Sequence, residues 1–493
     1  MINSAGMTLS FGRRFFAAGS IFTSCLSVTG TLNTSCQPVD LNKPNIIFIL
    51  ADNLGYGDLG CFGSKLHRTP FVDKMAEEGI RLTSLYSSSG VSTPSRASLM
   101  TGCYAQRIDM HLSANNGWVS TPVAAKGLNP EEITIPEILK TRGYETACIG
   151  KWHLGDQKVF LPLNHGFDYF YGLPYSEDMI PSANNPGWPD LPLMKNNDVI
   201  EAPADLTRTT ARYVNEAIRF IKKNRKKPFF LYMPHNLPGS RAVPVTDKRF
   251  SGRSANGSYG DSVEELDWAV GEILRTIGEL GLEKNTMIVF TSDNGSPKGR
   301  AGSSGLGSND PFAGAGYSTM EGGMRVPCVV KWENKIPGGR STDELCTMMD
   351  WLPTFAFLAG AKTDSSRITD GKNIWKLISG DENAKSPHAV FYYYLMDQLQ
   401  AVRQGKWKLH LPLENRFDGG NRDRFYGSSE LKLIDLSRDI KEENDLSSEF
   451  PEVVERMLKS AEIIRRELGD TGRKGEKVRS AMYVEDPKPL LIK

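Results

Sequence analysis

The first acidic residue of this sequence is Asp40; nothing before it carries a negative charge. Arg13 and Arg14 stand there instead, followed by a mostly apolar stretch from Phe15 to Val28 that small residues interrupt. A basic flank, a short apolar run and a small polar exit form the pattern of an export signal. Arg13-Arg14-Phe15-Phe16 is also a loose twin-arginine pattern. Cys25, after Phe22-Thr23-Ser24, is a poor lipoprotein site, and Cys36 is poorer. The run is too short and too broken for a membrane span. The sequence therefore predicts an exported chain, periplasmic or secreted, with residues 1–36 as the export segment and no stable membrane span, a lipoprotein being the weakly supported alternative.

Charge excess is missing as well. Lys and Arg number 59 against 58 Asp and Glu, a formal net charge of +1. A chain with no basic surplus is poorly suited to neutralising many phosphates, which excludes a nucleic-acid partner while leaving local anion sites open. Cysteine is sparse: seven residues, none in a Cys-x-x-Cys pair. Loss of a leader containing Cys25 and Cys36 leaves Cys61, Cys103, Cys148, Cys328 and Cys346, an odd number. That argues against both a disulfide framework and a structural zinc site. Cys148 and Cys328 fall in apolar, strand-like runs and read as small core residues.

What the sequence does have is alternating punctuation of strands and helices. Asn45-Ile46-Ile47-Phe48-Ile49-Leu50 is a nearly continuous apolar run, as expected of a strand covered on both faces. Further strands are expected at Thr146–Ile149, Phe229–Met233 and Met287–Thr291. Helical spacing of apolar residues marks Ala211–Lys223 and Ser262–Leu280. Such alternation predicts an α/β fold with a mostly parallel sheet covered by helices. From about residue 390, short runs at Phe391–Tyr394, Ala401–Arg403, Lys406–Leu411 and Leu431–Leu436 read as an antiparallel sheet, followed by a helix over Pro451–Leu468. The expected organisation is a catalytic α/β domain over 43–385 and a smaller C-terminal α+β subdomain over 386–493.

Open parallel sheets bind ligands at the carboxyl ends of their strands. Here those ends read Asp52-Asn53, Gly150-Lys151-Trp152-His153 and Ser292-Asp293-Asn294-Gly295. Asp52, Asn53, Asp293 and Asn294 form an oxygen-rich set that suits a hard divalent cation, calcium above zinc. Taken singly, such residues serve equally well as turns and helix caps.

The stretch Gly90-Val91-Ser92-Thr93-Pro94-Ser95-Arg96-Ala97-Ser98-Leu99-Met100-Thr101-Gly102 decides between those uses. It resembles the sulfatase signature, in which Cys or Ser is followed by x-Pro-x-Arg, a short helix and Thr-Gly. The resemblance extends over Ile49–Gly60, Gly150–Gly155, Thr291–Gly295, Glu321-Gly322-Gly323-Met324-Arg325-Val326-Pro327 and Ala401–Lys408, in order and across most of the chain after the leader. The arylsulfatase A-like branch is the most similar. The resemblance implies an alkaline-phosphatase-like α/β fold and hydrolysis of sulfuric esters on sulfated glycans or aryl sulfates. It implies one bound calcium ion, held by Asp52, Asn53, Ser92, Asp293 and Asn294. It also implies that Ser92 is oxidised to formylglycine by a serine-type maturing enzyme, and that the hydrated aldehyde attacks sulfur. By the same resemblance Arg96 holds the metal-bound diol oxygens, Lys151 binds sulfate, and His153 contacts the diol and accepts its proton. Pro94 and Ser95 are expected to open the helix that follows Ser92, aiming its N-terminal amides at the anion.

Three departures from the family pattern stand out. Asn53 occupies a position that is usually acidic, which removes one negative charge from the cation site. Gly239 occupies the slot of the histidine that protonates the leaving oxygen; His235, four residues earlier, is either a compensating donor or an ordinary loop histidine. Gly316 occupies the slot of a second sulfate-binding lysine, with Lys298, Arg300 and Arg241 in nearby loops. These departures keep two alternatives alive: a catalytically degenerate protein that binds a sulfated ligand, and a phosphate or phosphonate ester hydrolase of the same fold.

Overall fold

The apolar run that opens the domain forms strand β1, Asn45–Asp52, buried along its whole length. The computed structural model describes residues 43–297, 307–416 and 429–492; the expected export segment 1–36, Lys298 and Arg300 lie outside them. Among the described residues the main sheet has ten strands. After β1 come β2 (Ile80–Leu82), β3 (Glu145–Ile149), β4 (Tyr169–Gly172), β5 (Leu193–Lys195), β6 (Asp198–Glu201), β7 (Phe229–Pro238), β8 (Thr286–Ser292), β9 (Cys328–Lys331) and β10 (Arg340–Thr342). Across the sheet the order is β10-β2-β9-β8-β1-β7-β3-β4-β5-β6. The five central strands, β8 to β4, run parallel, while antiparallel pairings occur only toward the two edges.

Both faces of the sheet are covered, and β1 shows the alternation directly. Ile46, Phe48 and Leu50 pack with Ala97 and Leu99 of helix α1 (here Ser92–Thr101) and with Trp351 and Phe355 of a later helix, Trp351–Ala359. Ile47, Ile49 and Ala51 face the other way. They meet Tyr213, Ala217 and Ile221 of α2 (Thr209–Asn224) and Val263, Leu266 and Val270 of α3 (Gly257–Glu279). Helix Trp351–Ala359 is α4. Burial on both faces accounts for a strand with no polar residue between Asn45 and Asp52.

The C-terminal part is an antiparallel sheet, β11 (Phe391–Leu395), β12 (Gln398–Gln404), β13 (Trp407–His410) and β14 (Lys432–Asp435), in that spatial order. Helix α5 (Pro451–Leu468) sets Val453, Met457, Ala461 and Leu468 against Phe391, Tyr393, Leu399 and Leu433. A buried polar knot ties this sheet to the turn of helix at Glu321–Met324. Lys408 Nζ donates to Glu321 Oε1 at 3.1 Å and lies 2.9 Å from Glu442 Oε2, while the Glu321 amide donates to Glu442 Oε1 at 2.8 Å. Residues near the end of the described chain return to the main domain: Met482–Tyr483 pairs with Lys126–Gly127, and the Lys488 amide donates to Gln157.

The five described cysteines are all free, in line with the odd count. Among the described residues no helix is long and apolar enough to cross a membrane.

Candidate active site

The three polar strand ends predicted from the sequence meet. Asp52 closes β1, Asp293 follows β8 and Lys151 follows β3, so parallel neighbours deliver all three to one edge of the sheet. The chain leaves β1 sharply: Asn53 adopts a left-handed conformation with φ 62°, and its amide donates to Asp293 Oδ1 at 3.0 Å. His153 is also left-handed, φ 62°.

Ser92 is the first residue of α1, two positions earlier than Pro94 suggested. All ten residues of that helix are buried, and the Ser95 hydroxyl fixes it to the carbonyl of Asp293 at 2.5 Å. The free amides of its first turn and the positive end of its dipole belong to the same neighbourhood as Ser92 Oγ, which donates to Asp52 Oδ1 at 3.1 Å.

Arg96, one turn along α1, is completely buried and bonds both acids. Its Nε and Nη2 donate to Asp293 Oδ2 at 3.0 and 2.8 Å, Nη2 also reaches Asp52 Oδ1 at 2.8 Å, and Nη1 donates to the Lys151 carbonyl at 3.0 Å. Lys151 Nζ holds Asp52 by both oxygens, at 2.8 and 2.9 Å, and donates to Ser176 Oγ at 3.0 Å. Two buried cations thus face two buried carboxylates. Burial pushes the Asp52 carboxyl upward, but Lys151 and Arg96 more than reverse this and hold it well below the usual range. Asp293 has a weaker share of the cations; burial outweighs Arg96 and it is pushed up to about 6.

His153 Nε2 lies 2.9 Å from the Ser120 carbonyl. A carbonyl only accepts, so Nε2 carries the proton and Nδ1, buried without a partner, is left with a free lone pair. Burial, then the charges of Lys151 and Arg96, hold the ring well below its ordinary value and keep it neutral.

The residues present fit a hard divalent cation. Asn53 Oδ1 and Asn294 lie together, with Asn294 Nδ2 donating to Asn53 Oδ1 at 2.6 Å, and Asn53 Nδ2 donating to Ser240 Oγ at 3.0 Å. Asn294 Oδ1 is buried and has no partner, an acceptor left without a donor. Among the described residues no group of three His, Cys, Asp or Glu side chains forms a candidate site. The donor set is instead two carboxylates, two amides and a hydroxyl, all oxygen, the preference of calcium or magnesium.

His235 is not brought into this cluster by any hydrogen bond. It lies on β7, where alternate residues face opposite ways: Tyr232 packs on the α1 and α4 side, Met233 on the α2 and α3 side. His235 follows Met233 by two, and its ring sits against Tyr213 of α2 with both nitrogens buried and unpartnered. Burial lowers it to about 4.

The glycine slots have physical explanations. Gly239 has φ 86°, and a Cβ there would lie 2.4 Å from Glu177 Oε1. A Cβ at Gly316 would lie 2.4 Å from the Gly295 carbonyl, so the backbone itself fills the space a lysine would need. Arg241 is spent nearby, donating from Nη1 to the Glu177 carbonyl at 3.3 Å.

The sequence reading missed Ser120, Ser176, Glu177 and Ser240. Ser176-Glu177 follows β4, itself a central parallel strand, so the strand-end rule that found Asp52 applies to them too.

Comparison with known proteins covers most of the chain. Residues 44–361 match the family described as Sulfatase, and residues 386–483 match the C-terminal region of aryl-sulfatase. Mouse (Mus musculus) steryl-sulfatase is 36% identical over 431 residues, covering 73% of this chain and 69% of that protein. Human (Homo sapiens) arylsulfatase A is 36% identical over 463 residues, covering 86% and 88%. A solved structure of a sulfatase from glycosaminoglycan metabolism in Bacteroides thetaiotaomicron superimposes with a TM-score of 0.74 at 26% identity, covering 86% of this chain and 99% of that one.

Proposed function

The chain belongs to the sulfatase family of sulfuric ester hydrolases, and from that premise we propose a reaction at position 92 on sulfated glycans or aryl sulfates. Ser92, converted to formylglycine by a serine-type maturing enzyme, is the nucleophile position. Asp52, Asn53, Asp293, Asn294 and the group at 92 hold one calcium ion. Together, calcium and the hydrated aldehyde supply an oxygen of low proton affinity at a position where plain serine is a weak nucleophile.

The observation that carries this reading is the convergence on Asp52: Ser92, Arg96 and Lys151 all bond the same carboxylate. Lys151 offers a fixed, desolvated positive charge to the sulfate oxygens, which gain charge as the ester breaks. Arg96 fixes the angle between Asp52 and Asp293 and so the spacing of the cation donors. His153 Nδ1 takes the nucleophile's proton, its tautomer set by the Ser120 carbonyl. The first-turn amides of α1 add donors toward the anion. The leader-like segment before Asp40 supports action outside the cytoplasm.

The test is sulfate release from a panel of sulfated sugars, aryl sulfates and a steryl sulfate. The protein is co-expressed with a serine-type maturase and formylglycine at 92 is confirmed by mass. Release above a Ser92→Ala control is expected. No release from fully modified protein across the panel would overturn the reading in favour of a protein that binds a sulfated ligand without cleaving it.

A further inference from the structure

Glu177 has no part in the chemistry described so far, yet it is buried, 2% exposed, beside the catalytic lysine. Its Oε1 accepts from the Ser240 amide at 2.6 Å, its Oε2 accepts from Ser176 Oγ at 3.1 Å and lies 3.9 Å from Lys151 Nζ. The carboxylate stands where a side chain at position 239 would begin, since a Cβ there would lie 2.4 Å from Oε1. The glycine that removes the family's usual proton donor is thus the residue that makes room for this carboxylate.

Ser92 bonds Asp52, Asp52 bonds Lys151, and Lys151 is next to Glu177, so the lysine links the nucleophile position to this carboxylate. Displacement at sulfur is in line, with the departing oxygen opposite the attacking one. We infer that Glu177 is the catalytic acid of this sulfatase, giving its proton to the leaving oxygen from the place vacated at Gly239. As the nucleophile oxygen bonds to sulfur, the S–O bond to the leaving group breaks and its electron pair goes to the bridging oxygen. That oxygen takes the Glu177 proton and departs as a neutral alcohol or phenol. The carboxylate left behind is reprotonated by water.

The environment suits a carboxyl that holds a proton near neutrality. The ionisable groups around it are Lys151, Asp52, the adjacent Asp178, Tyr213 of α2 and Arg241, whose guanidinium donates to the Glu177 carbonyl. Burial raises it to about 7, with Asp52 and Asp178 adding to the rise and Lys151 opposing it.

The inference rests on the sulfatase reading, and the experiment separates the two. Mature, calcium-loaded protein is assayed on 4-nitrophenyl sulfate, whose leaving group needs little help, and on phenyl sulfate, whose leaving group needs a proton. Glu177→Gln keeps the shape and an oxygen to accept from the Ser240 amide, turns the Ser176 contact into one that the amide donates, and cannot release a proton. Expected is a loss of kcat/KM of about 10-fold or less on 4-nitrophenyl sulfate and about 100-fold or more on phenyl sulfate. The alkaline fall in the phenyl sulfate pH profile disappears with it, and Glu177→Asp recovers part of the phenyl activity. Equal losses on both esters would mean that Glu177 only positions Lys151, and no loss would mean that it is a bystander; either overturns the inference alone. A wild-type profile with no alkaline fall that is specific to phenyl sulfate overturns it without any variant. Modified wild-type protein that cleaves neither these esters nor the sugar sulfates overturns the underlying function and the inference together.

Discussion

Replacing Arg96 by methionine keeps an unbranched apolar stem, though a shorter one, and removes the charge at the centre of the site. The loss is readable from four hydrogen bonds: two to Asp293, one to Asp52 and one to the Lys151 carbonyl. All the partners are buried, so nothing but the protein can replace the donors. Removing one member of a buried ion pair costs about 3–5 kcal/mol, because the partner charge stays behind unsolvated. Unfolding entropy of roughly 2 cal/mol/K per residue, over roughly 450 folded residues, converts that into a fall in Tm of about 3–5 °C. The assay is thermal unfolding at a fixed scan rate, once with chelator and once with excess calcium. In calcium the fall is smaller, since the cation takes over part of the neutralisation of Asp52 and Asp293. A fall of less than about 1 °C in chelator would refute the reasoning, as would a fall that calcium leaves unchanged.

Two further outcomes concern the cation site and the buried polar knot at Lys408. Asp293→Ala removes one of the two carboxylates of the donor set; metal analysis of the purified variant is expected to show calcium lost, and unchanged metal content would contradict the assignment. Glu442 concerns acid stability. Burial pushes its carboxyl up, but Lys408 and His410 more than reverse this and bring it to about 2, below the 4.5 of an unperturbed glutamate. Below pH 4.5 the unfolded chain therefore binds a proton that the fold does not, and stability falls as pH drops from about 4.5 toward 2. Glu442→Gln is expected to flatten that part of the stability profile while lowering stability at pH 7; an acid limb as steep as wild type would refute the role.

Much of the fold was legible because its central strands are buried on both faces and so are apolar without interruption. Ile46 to Leu50 and Met287 to Phe290 announced themselves in this way, and the acids just past them followed from the strand-end rule. Strands toward the two edges, such as Leu193–Lys195 and Arg340–Thr342, are only three residues long and carry no pattern. Strand β7 runs on to Pro238, past two prolines that read as a loop; Pro234 still pairs with Leu50 and Pro238 with Asp52. That extension sets the facing of His235, which could not be read from its distance in sequence to Gly239. Helix α1 begins before Pro94 because the first-turn amides of a helix need no internal acceptor, so a proline at its third position removes nothing. Glu177 was hidden because Tyr169-Phe170-Tyr171-Gly172 is too short to mark a central strand.

Strand β1 lies between β7 and β8, so Ile46 has Phe230 on one side and Met287 on the other. The innermost strand is therefore made first and waits for both neighbours. The end of β8, Ser292, comes 200 residues after Ser92. At roughly 5–20 residues per second, synthesis of that interval takes about 10–40 s. Until it ends, the sheet against which α1 is buried lacks the strand on one side of β1. Strand order thus works as a delay line: on the proposed chemistry, an enzyme that oxidises Ser92 can act while the sheet is incomplete, and the same residue is sealed into a fully buried helix once the last central strand arrives.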